Sequence, residues 1–386
     1  QKQTEEKETP RGRMNPRFYA WAAGLLISFS SAVAGEQIQQ LENSFFSEFP
    51  VIYQGGPDSF VQQIVFAGMI QHQVARVNSN QGDADEDEFR RFRFGGKATF
   101  GDHFLLFTSV NFDPEGDLFY DDLSMVYLAW SPFGNDRKAL DRFQIAAGKL
   151  KPRFTHEYST AAKRIRTFER SLLVNQLAPA KATGMWIAGS KDKWSYVLAG
   201  FSGDDVGEYS EFRNGWAGLA KIGYAYTDNA KLGLDWLYAS DSQEITAAID
   251  HAFSLSSEWN TKYEAGNFSL VGEIIYSSGR DANLGDAWGL VVMPGYLITD
   301  KLELVARYQF AASSSESGLR LQRRYERSAA APDRQRGDLY HAGWLGLNYY
   351  INEHKLKLMS GVEYSYLDGP EAFSGWSWFS GMRLYF

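Results

Sequence analysis

From about residue 63 to the C-terminus, apolar and polar residues alternate in segments of roughly ten, separated by Gly, Asp, Asn and Ser. A period of two marks strands with one apolar and one polar face. Residues 230–239 set Leu232, Leu234, Trp236 and Tyr238 against Lys231, Gly233, Asp235 and Ala239, with Leu237 out of step. Residues 267–277 set Phe268, Leu270, Ile274 and Tyr276 against Asn267, Ser269 and Glu273, and residues 301–310 set Leu302, Leu304, Tyr308 and Phe310 against Lys301, Glu303, Arg307 and Gln309. The pattern predicts 16 strands, at 63–77, 88–100, 102–113, 120–131, 141–150, 183–190, 193–203, 214–227, 230–240, 249–262, 266–278, 286–299, 301–313, 338–351, 354–367 and 374–386.

Period alone does not say which face is dry. A sandwich turns the apolar rows inward, and a membrane barrel turns them outward. The strands are long, Tyr and Trp gather toward the ends of the apolar rows, and the polar face is heavy in Lys, Arg, Glu and Gly, as a water-filled lumen requires. The fold class predicted is all-β, a transmembrane antiparallel β-barrel of about 16 strands. Connection lengths agree. Short ones follow even strands, at Gly101-Asp102, Lys191-Asp192, Thr227-Asp228-Asn229, Thr299-Asp300 and Asn352-Glu353, with 132–140 somewhat longer. Longer ones follow odd strands, including 78–87, 151–182 and 314–337. That parity belongs to a barrel whose termini are both periplasmic.

The run from Phe18 to Ala34 follows Arg17 and ends in Ala32-Val33-Ala34 before Gly35. It is short for a bilayer span and contains three serines, so it reads as a secretory signal peptide. Residues 1–34 are accordingly an upstream extension plus signal peptide, 35–62 a periplasmic N-terminal segment without clear alternation, and 63–386 the barrel. A mean hydropathy of -0.36 does not oppose this, because a barrel strand needs apolar side chains on one face only. With no Cys, disulfides and thiolate metal sites are excluded, and His72, His103, His156, His251, His341 and His354 show no ligand spacing, so no metal or cofactor is expected. Without residues 1–34 the chain holds 34 basic and 44 acidic residues, a net charge of -10 with no basic tail, which argues against nucleic acid as a partner.

Charge is distributed unevenly. The third long connection, 151–182, carries Lys151, Arg153, Lys163, Arg164, Arg166, Arg170 and Lys181 against Glu157 and Glu169, a local +5. A connection of this length is commonly functional. Folded into a lumen, it would focus a positive potential on passing anions; the alternative is a solvated loop touching lipopolysaccharide phosphates. In the second strand Phe92, Phe94, Ala98 and Phe100 form the lipid row, so Arg91, Arg93, Lys97 and Thr99 face inward. They either pass an anion from one to the next or neutralise inward acids such as Glu273, Glu303 and Glu363. The run Asp83, Asp85, Glu86, Asp87, Glu88 lacks the Gly and Glu of a calcium loop and reads as a solvated acidic external loop. The arginines of 314–337 (Arg320, Arg323, Arg324, Arg327, Arg334 and Arg336) fit an anion-collecting vestibule or a lipid A contact equally well. No Ser, His and acid grouping points to an enzyme.

The last strand, FSGWSWFSGMRLYF, puts Trp376, Trp378, Met382, Leu384 and Phe386 in one row and resembles the terminal signature of outer-membrane barrels. The stretch FRRFRFGGKATFGD is similar to an early Arg-rich strand and turn of the phosphate-selective porins of types O and P. Gly148-Lys149-Leu150-Lys151-Pro152 with Phe154, then Phe168-Glu169-Arg170-Ser171, Leu177-Ala178-Pro179, Trp194-Ser195-Tyr196 and Gly200-Phe201, resemble that family in order and spacing. The resemblance implies a trimeric barrel in the bacterial outer membrane, its third external loop folded into the lumen, and a basic ladder including Lys149, Lys151, Arg164, Arg166 and Arg170. With the residues singled out by charge, the candidate constriction is Lys149, Lys151, Arg153, Lys163, Arg164, Arg166 and Arg170 with Arg91, Arg93 and Lys97. The expected function is passive diffusion of small anions, phosphate or polyphosphate-like solutes among them. The alternative is a general or other-substrate porin without anion selectivity. Expected partners are small anions, outer-membrane lipid and lipopolysaccharide, and two further copies of the chain.

Overall fold

The computed structural model describes residues 51–386, except 57, 135–141, 241–243, 247–248, 264–265, 280–284 and 327–335. The signal-peptide reading and the greater part of 35–62 therefore lie outside the described residues, as do most of the 132–140 turn and Arg327 and Arg334.

Sixteen strands follow one another around a closed antiparallel barrel. They are β1 (Val61–Ser79), β2 (Gly82–Phe100), β3 (Phe104–Phe112), β4 (Tyr120–Trp130), β5 (Arg142–Leu150), β6 (Ala182–Lys191), β7 (Trp194–Ser202) and β8 (Trp216–Thr227). The second half comprises β9 (Ala230–Ala239), β10 (Ile249–Tyr263), β11 (Gly266–Gly279), β12 (Ala287–Leu297), β13 (Leu302–Ser313), β14 (Leu339–Asn352), β15 (Leu356–Asp368) and β16 (Phe373–Tyr385). Closure comes from β16 pairing with β1, from Gly375 opposite Ser79 to Tyr385 opposite Met69. Phe386 extends the ladder through mutual backbone bonds with Gly68. The Phe386 ring lies over Gly68, where a Cβ would displace it.

The apolar rows face out. Leu232, Leu234, Leu255, Ile274, Leu304 and Leu347 are exposed, whereas Asp235, Glu273, Glu303, Arg307 and Gln309 on the opposite rows are buried. A sandwich would show the reverse. Trp216, Trp236, Trp288 and Trp376 ring the loop end of this outer surface, and Trp130, Trp194 and Trp259 ring the turn end, so two aromatic girdles bracket an aliphatic band. Leu237, out of step in the sequence, is fully buried on the inner side.

One expectation needs correction. Residues 78–87 are not a loop: β1 and β2 continue to a turn of only Asn80 and Gln81, and the acidic run lies within β2. Carboxylates are tolerated in this strand because they alternate. Asp87 meets His72 at 2.8 Å, Asp85 meets Arg76 at 3.7 Å and Asp83 meets Asn78 at 2.7 Å across the outer face, while Glu86 and Glu88 bond inward to Arg324. The N-terminal segment also contains a strand. Residues Val51–Gln54 pair with Val65, Ile64 and Gln63, along the stretch of β1 below the end of β16.

The outer rows generate a stability prediction. Ile274→Arg, at mid-strand on β11, should lower folding stability in lipid vesicles by about 3 kcal/mol, read from the denaturant midpoint. A loss under about 1 kcal/mol would place this row away from hydrocarbon.

Candidate functional site

Near the end of β5, Gly148 adopts φ +137, a conformation for glycine, where a Cβ would meet the Val126 carbonyl at 2.2 Å, and the chain leaves the strand after Leu150. It then forms a strap containing α1 (His156–Ser159), a 3-10 turn (Ala162–Arg164) and α2 (Leu172–Leu177). Thr155 caps α1 by accepting from the Tyr158 amide at 3.0 Å, and does so at φ 65, ψ 154, costly for a β-branched residue. Leu172, Leu173, Val174 and Leu177 of α2 are buried in the largest apolar cluster. Burial of these side chains and a set of polar anchors hold the strap against inward rows of strands remote from its own ends.

Those anchors are numerous. The Glu273 carboxylate of β11 accepts from the amides of His156 (2.5 Å) and Glu157 (3.1 Å), and Gln309 of β13 accepts from the Leu172 amide at 2.8 Å. Asn348 of β14 donates to the Arg166 carbonyl at 3.0 Å, Lys357 of β15 to the Ile165 carbonyl, and Arg383 of β16 to the Phe168 carbonyl at 3.1 Å. Arg307, 2% exposed, joins Glu157 of the strap (3.2 Å) to Glu363 of β15 (2.9 Å). Arg166 pairs with Glu303 at 3.2 Å. Glu169 is shared by Arg90 (2.9 Å) and Arg324 (3.3 Å). Burial opposes its ionisation, but these two guanidiniums hold the carboxyl well below the usual range.

A second segment lies on the first. Gln176 donates to the Gly318 carbonyl (2.7 Å) and accepts from the Arg320 amide (3.0 Å), and Gln322 donates to the Arg170 carbonyl (3.1 Å). From α3 (Arg323–Glu326), Arg324 reaches Glu86 (3.0 Å) and Glu88 (3.1 Å), and the Tyr325 hydroxyl donates to Glu363 (2.7 Å). Of the arginines predicted for a vestibule or lipid contact, Arg324 is instead buried among carboxylates, and Arg320 pairs with Glu326.

Another group of basic side chains has no carboxylate within 4.0 Å among the described residues: Arg91, Arg93, Lys149, Lys151, Arg153, Arg170, Lys181 and Arg383. Their partners are neutral. Arg91 donates to Gln71 (2.7 Å), Arg93 to Asn111 (2.5 Å), Lys181 to Ser124 (2.6 Å), and Lys149 to the Val206 (3.3 Å) and Gly207 carbonyls. Lys151 donates to the Tyr158 carbonyl and lies 3.8 Å over that ring, Arg170 donates to the carbonyls of Glu157 and Thr160, and Arg153 lies 4.4 Å over Trp186. Burial, then the neighbouring Arg170, Arg91, Arg153 and Lys181, push Lys151 down to about 5; burial and Arg93 push Lys181 down to about 7. A proton held on either amine calls for a negative charge nearby.

Of the ten residues named from the sequence, Arg91, Arg93, Lys149, Lys151, Arg153 and Arg170 thus have neutral direct partners, with Asp122 acting on Arg93 and Lys149 from beyond contact distance, while Arg166 is neutralised by Glu303. Lys163 and Arg164 are exposed and line a cavity of about 1280 Å³ with Asn229, Asp300 and Glu353 of the turn end; Lys97 lines a second, of about 720 Å³, with Asp192 and Lys221. Sequence reasoning missed Arg90, Gln71 and Arg383 as site residues. Arg383 was legible, since Met382 and Leu384 face out on either side of it. Arg90 was not: it is the extra residue of a β-bulge between the pairs Gln71–Arg91 and His72–Phe89, which turns two successive arginines inward.

Comparison with known proteins gives a consistent result. A family model described as phosphate-selective porin O and P matches residues 66–267. OmpT of Vibrio cholerae is similar in structure with a TM-score of 0.55 at 13% identity, over 84% of this chain and 97% of that one. The outer membrane channel DcaP of Acinetobacter baumannii gives 0.55 at 12%, over 87% and 100%, and an anion-selective porin from Comamonas acidovorans gives 0.53 at 10%, over 84% and 99%. At these identities they establish the fold. No curated protein sequence matches this chain.

The anchors generate their own prediction. Arg307→Ala leaves Glu157 and Glu363 buried without their cation and should cost about 3 kcal/mol in denaturant unfolding. Adding Glu157→Gln and Glu363→Gln should recover most of that loss. Proteolysis within 151–181 should rise in the single variant and fall again in the triple one; equal losses in both would deny the pair its anchoring role.

Proposed function

The chain belongs to the phosphate-selective porin O and P family, and from that premise we propose that this bacterial outer-membrane channel favours small anions, with the strap folded into its lumen as a basic constriction. The observation that carries the reading is the group of basic side chains held by amides, hydroxyls, carbonyls and rings instead of carboxylates. Each retains a net positive charge when protonated, in a site walled by low-dielectric protein, where the field on a passing ion is strengthened. The strap's bonds to Glu273, Gln309, Asn348 and Arg383 support its place across the passage. Phosphate and related oxyanions match guanidinium geometry best.

In planar bilayers under a salt gradient, the reversal potential should show anion preference, and Arg91→Ala and Arg170→Ala together should abolish most of it. Cation preference in the parent channel would overturn the reading. One observation favours the alternative, a general porin: Arg166, Arg307 and Lys221 are matched by Glu303, Glu157, Glu363 and Asp235, so that part of the interior is charge-balanced. The same reversal potential, near zero in that case, decides between them.

Acidification should strengthen the preference. With Lys181 at about 7 and Lys151 at about 5, lowering the pH from about 8 to about 4.5 protonates first one amine and then the other, adding positive charge to the passage. Lys181→Met should remove the upper step of a reversal-potential titration and Lys151→Met the lower. A profile unchanged by either would deny these amines a place beside the permeating ion.

The reading also includes a homotrimer in detergent, measurable by light scattering. It further places the outer row of the β1–β2 hairpin against lipopolysaccharide, with Asp83, Asp85 and Asp87 at that layer.

A further inference from the structure

Gln71, on the inner row of β1, is 1% exposed and bonds three ways. Its side-chain oxygen accepts from Arg91 of β2 at 2.7 Å and also from Arg383 of β16, and its nitrogen donates to the Tyr385 hydroxyl. Two guanidiniums from the strands flanking β1 therefore meet on one neutral oxygen. Arg383 has only neutral acceptors besides, Gln73 at 3.4 Å and the Phe168 carbonyl at 3.1 Å. The nearby carboxylates are engaged elsewhere. Glu169 binds Arg90 and Arg324, and Glu88 binds Arg324 and Gln73.

A shared acceptor between two buried cations is ordinarily where a carboxylate is most stabilising, since its negative charge adds Coulombic attraction to bonds that an amide oxygen accepts without it. An amide accepts the same bonds with nearly the same shape and leaves both charges uncompensated. Arg383 is shielded by the strap, whereas Arg91 is half-buried and donates to Gln71. We propose that Gln71 is a positioning residue that sets the anion preference of the passage, holding Arg91 and Arg383 together without neutralising them, for an oxyanion that approaches Arg91. This rests on the anion-favouring reading above and extends it to a residue that carries no charge.

The test uses the full-length channel in planar bilayers, with inorganic phosphate as probe, reading reversal potential and phosphate block of the chloride current. Gln71→Glu keeps the acceptor and adds one negative charge; anion preference and phosphate block should both fall several-fold. Gln71→Met removes the acceptor without adding charge and should keep the preference while weakening the block less. Arg383→Gln, which removes the rear charge and leaves an amide to bond Gln71, should reproduce the loss of preference and serves if Gln71→Glu does not assemble. Unchanged preference in Gln71→Glu, or equal damage from Gln71→Met, would assign Gln71 to packing and overturn the proposal. Cation preference in the parent channel would instead sink the broader reading, so the two failures are distinguishable.

Discussion

Hydrocarbon offers no partner to a backbone N–H or C=O, and this one constraint shapes the molecule. It demands that every strand be paired on both edges, which only a closed cylinder achieves, and that the outer side chains be apolar while the inner ones remain free to be anything. The bonds between β16 and β1, finished by Phe386 against Gly68, discharge the last open edge. Where the first hairpin projects beyond the loop end, the constraint lapses, and the outer row changes at once from aromatic to charged: Phe89 is followed outward by Asp87, Asp85 and Asp83.

The interior faces the opposite problem. Groups released from contact with lipid are charged, and charges withdrawn from water need partners. Two solutions are used side by side. Toward β13–β15, arginines and glutamates neutralise one another through Arg307, Glu157 and Glu363 and through Arg166 and Glu303, fastening the strap. Toward β1, β2, β5 and β6, basic groups rest on neutral acceptors instead of carboxylates. The strained backbone at Thr155 sits between these regions and is stabilised by the Glu273 carboxylate, which satisfies the first two amides of α1. Glu169 links the regions, since it bonds Arg90 on the wall and Arg324 above the strap. In the reading proposed here the paired side is scaffold and the unpaired side is passage.

How much of this was legible in the chain follows from the range of each interaction. Alternation is local, and the outer rows are selected by solvent alone, so Leu232, Leu234 and Trp236 announced β9, and the strand count, parity and closing strand followed from the same period. Boundaries agree within two residues at every strand except the start of β2, where acidic residues imitate a loop because a strand clear of the bilayer no longer needs an apolar face. The basic character of 151–181 was equally plain, because charge is a sum over residues.

Which basic residues keep that charge was decided only in three dimensions. Arg166 and Arg170 look alike in sequence, yet one meets Glu303, 137 positions away, and the other meets backbone carbonyls. The bulge that adds Arg90 to the inner face, the descent of Arg324 onto Glu86, Glu88 and Glu169, and the meeting of Arg91 and Arg383 on Gln71 all depend on which strands become neighbours. A period of two states which way a side chain points; what it meets depends on barrel closure and on the strap, contacts hundreds of residues apart to which no local pattern is coupled.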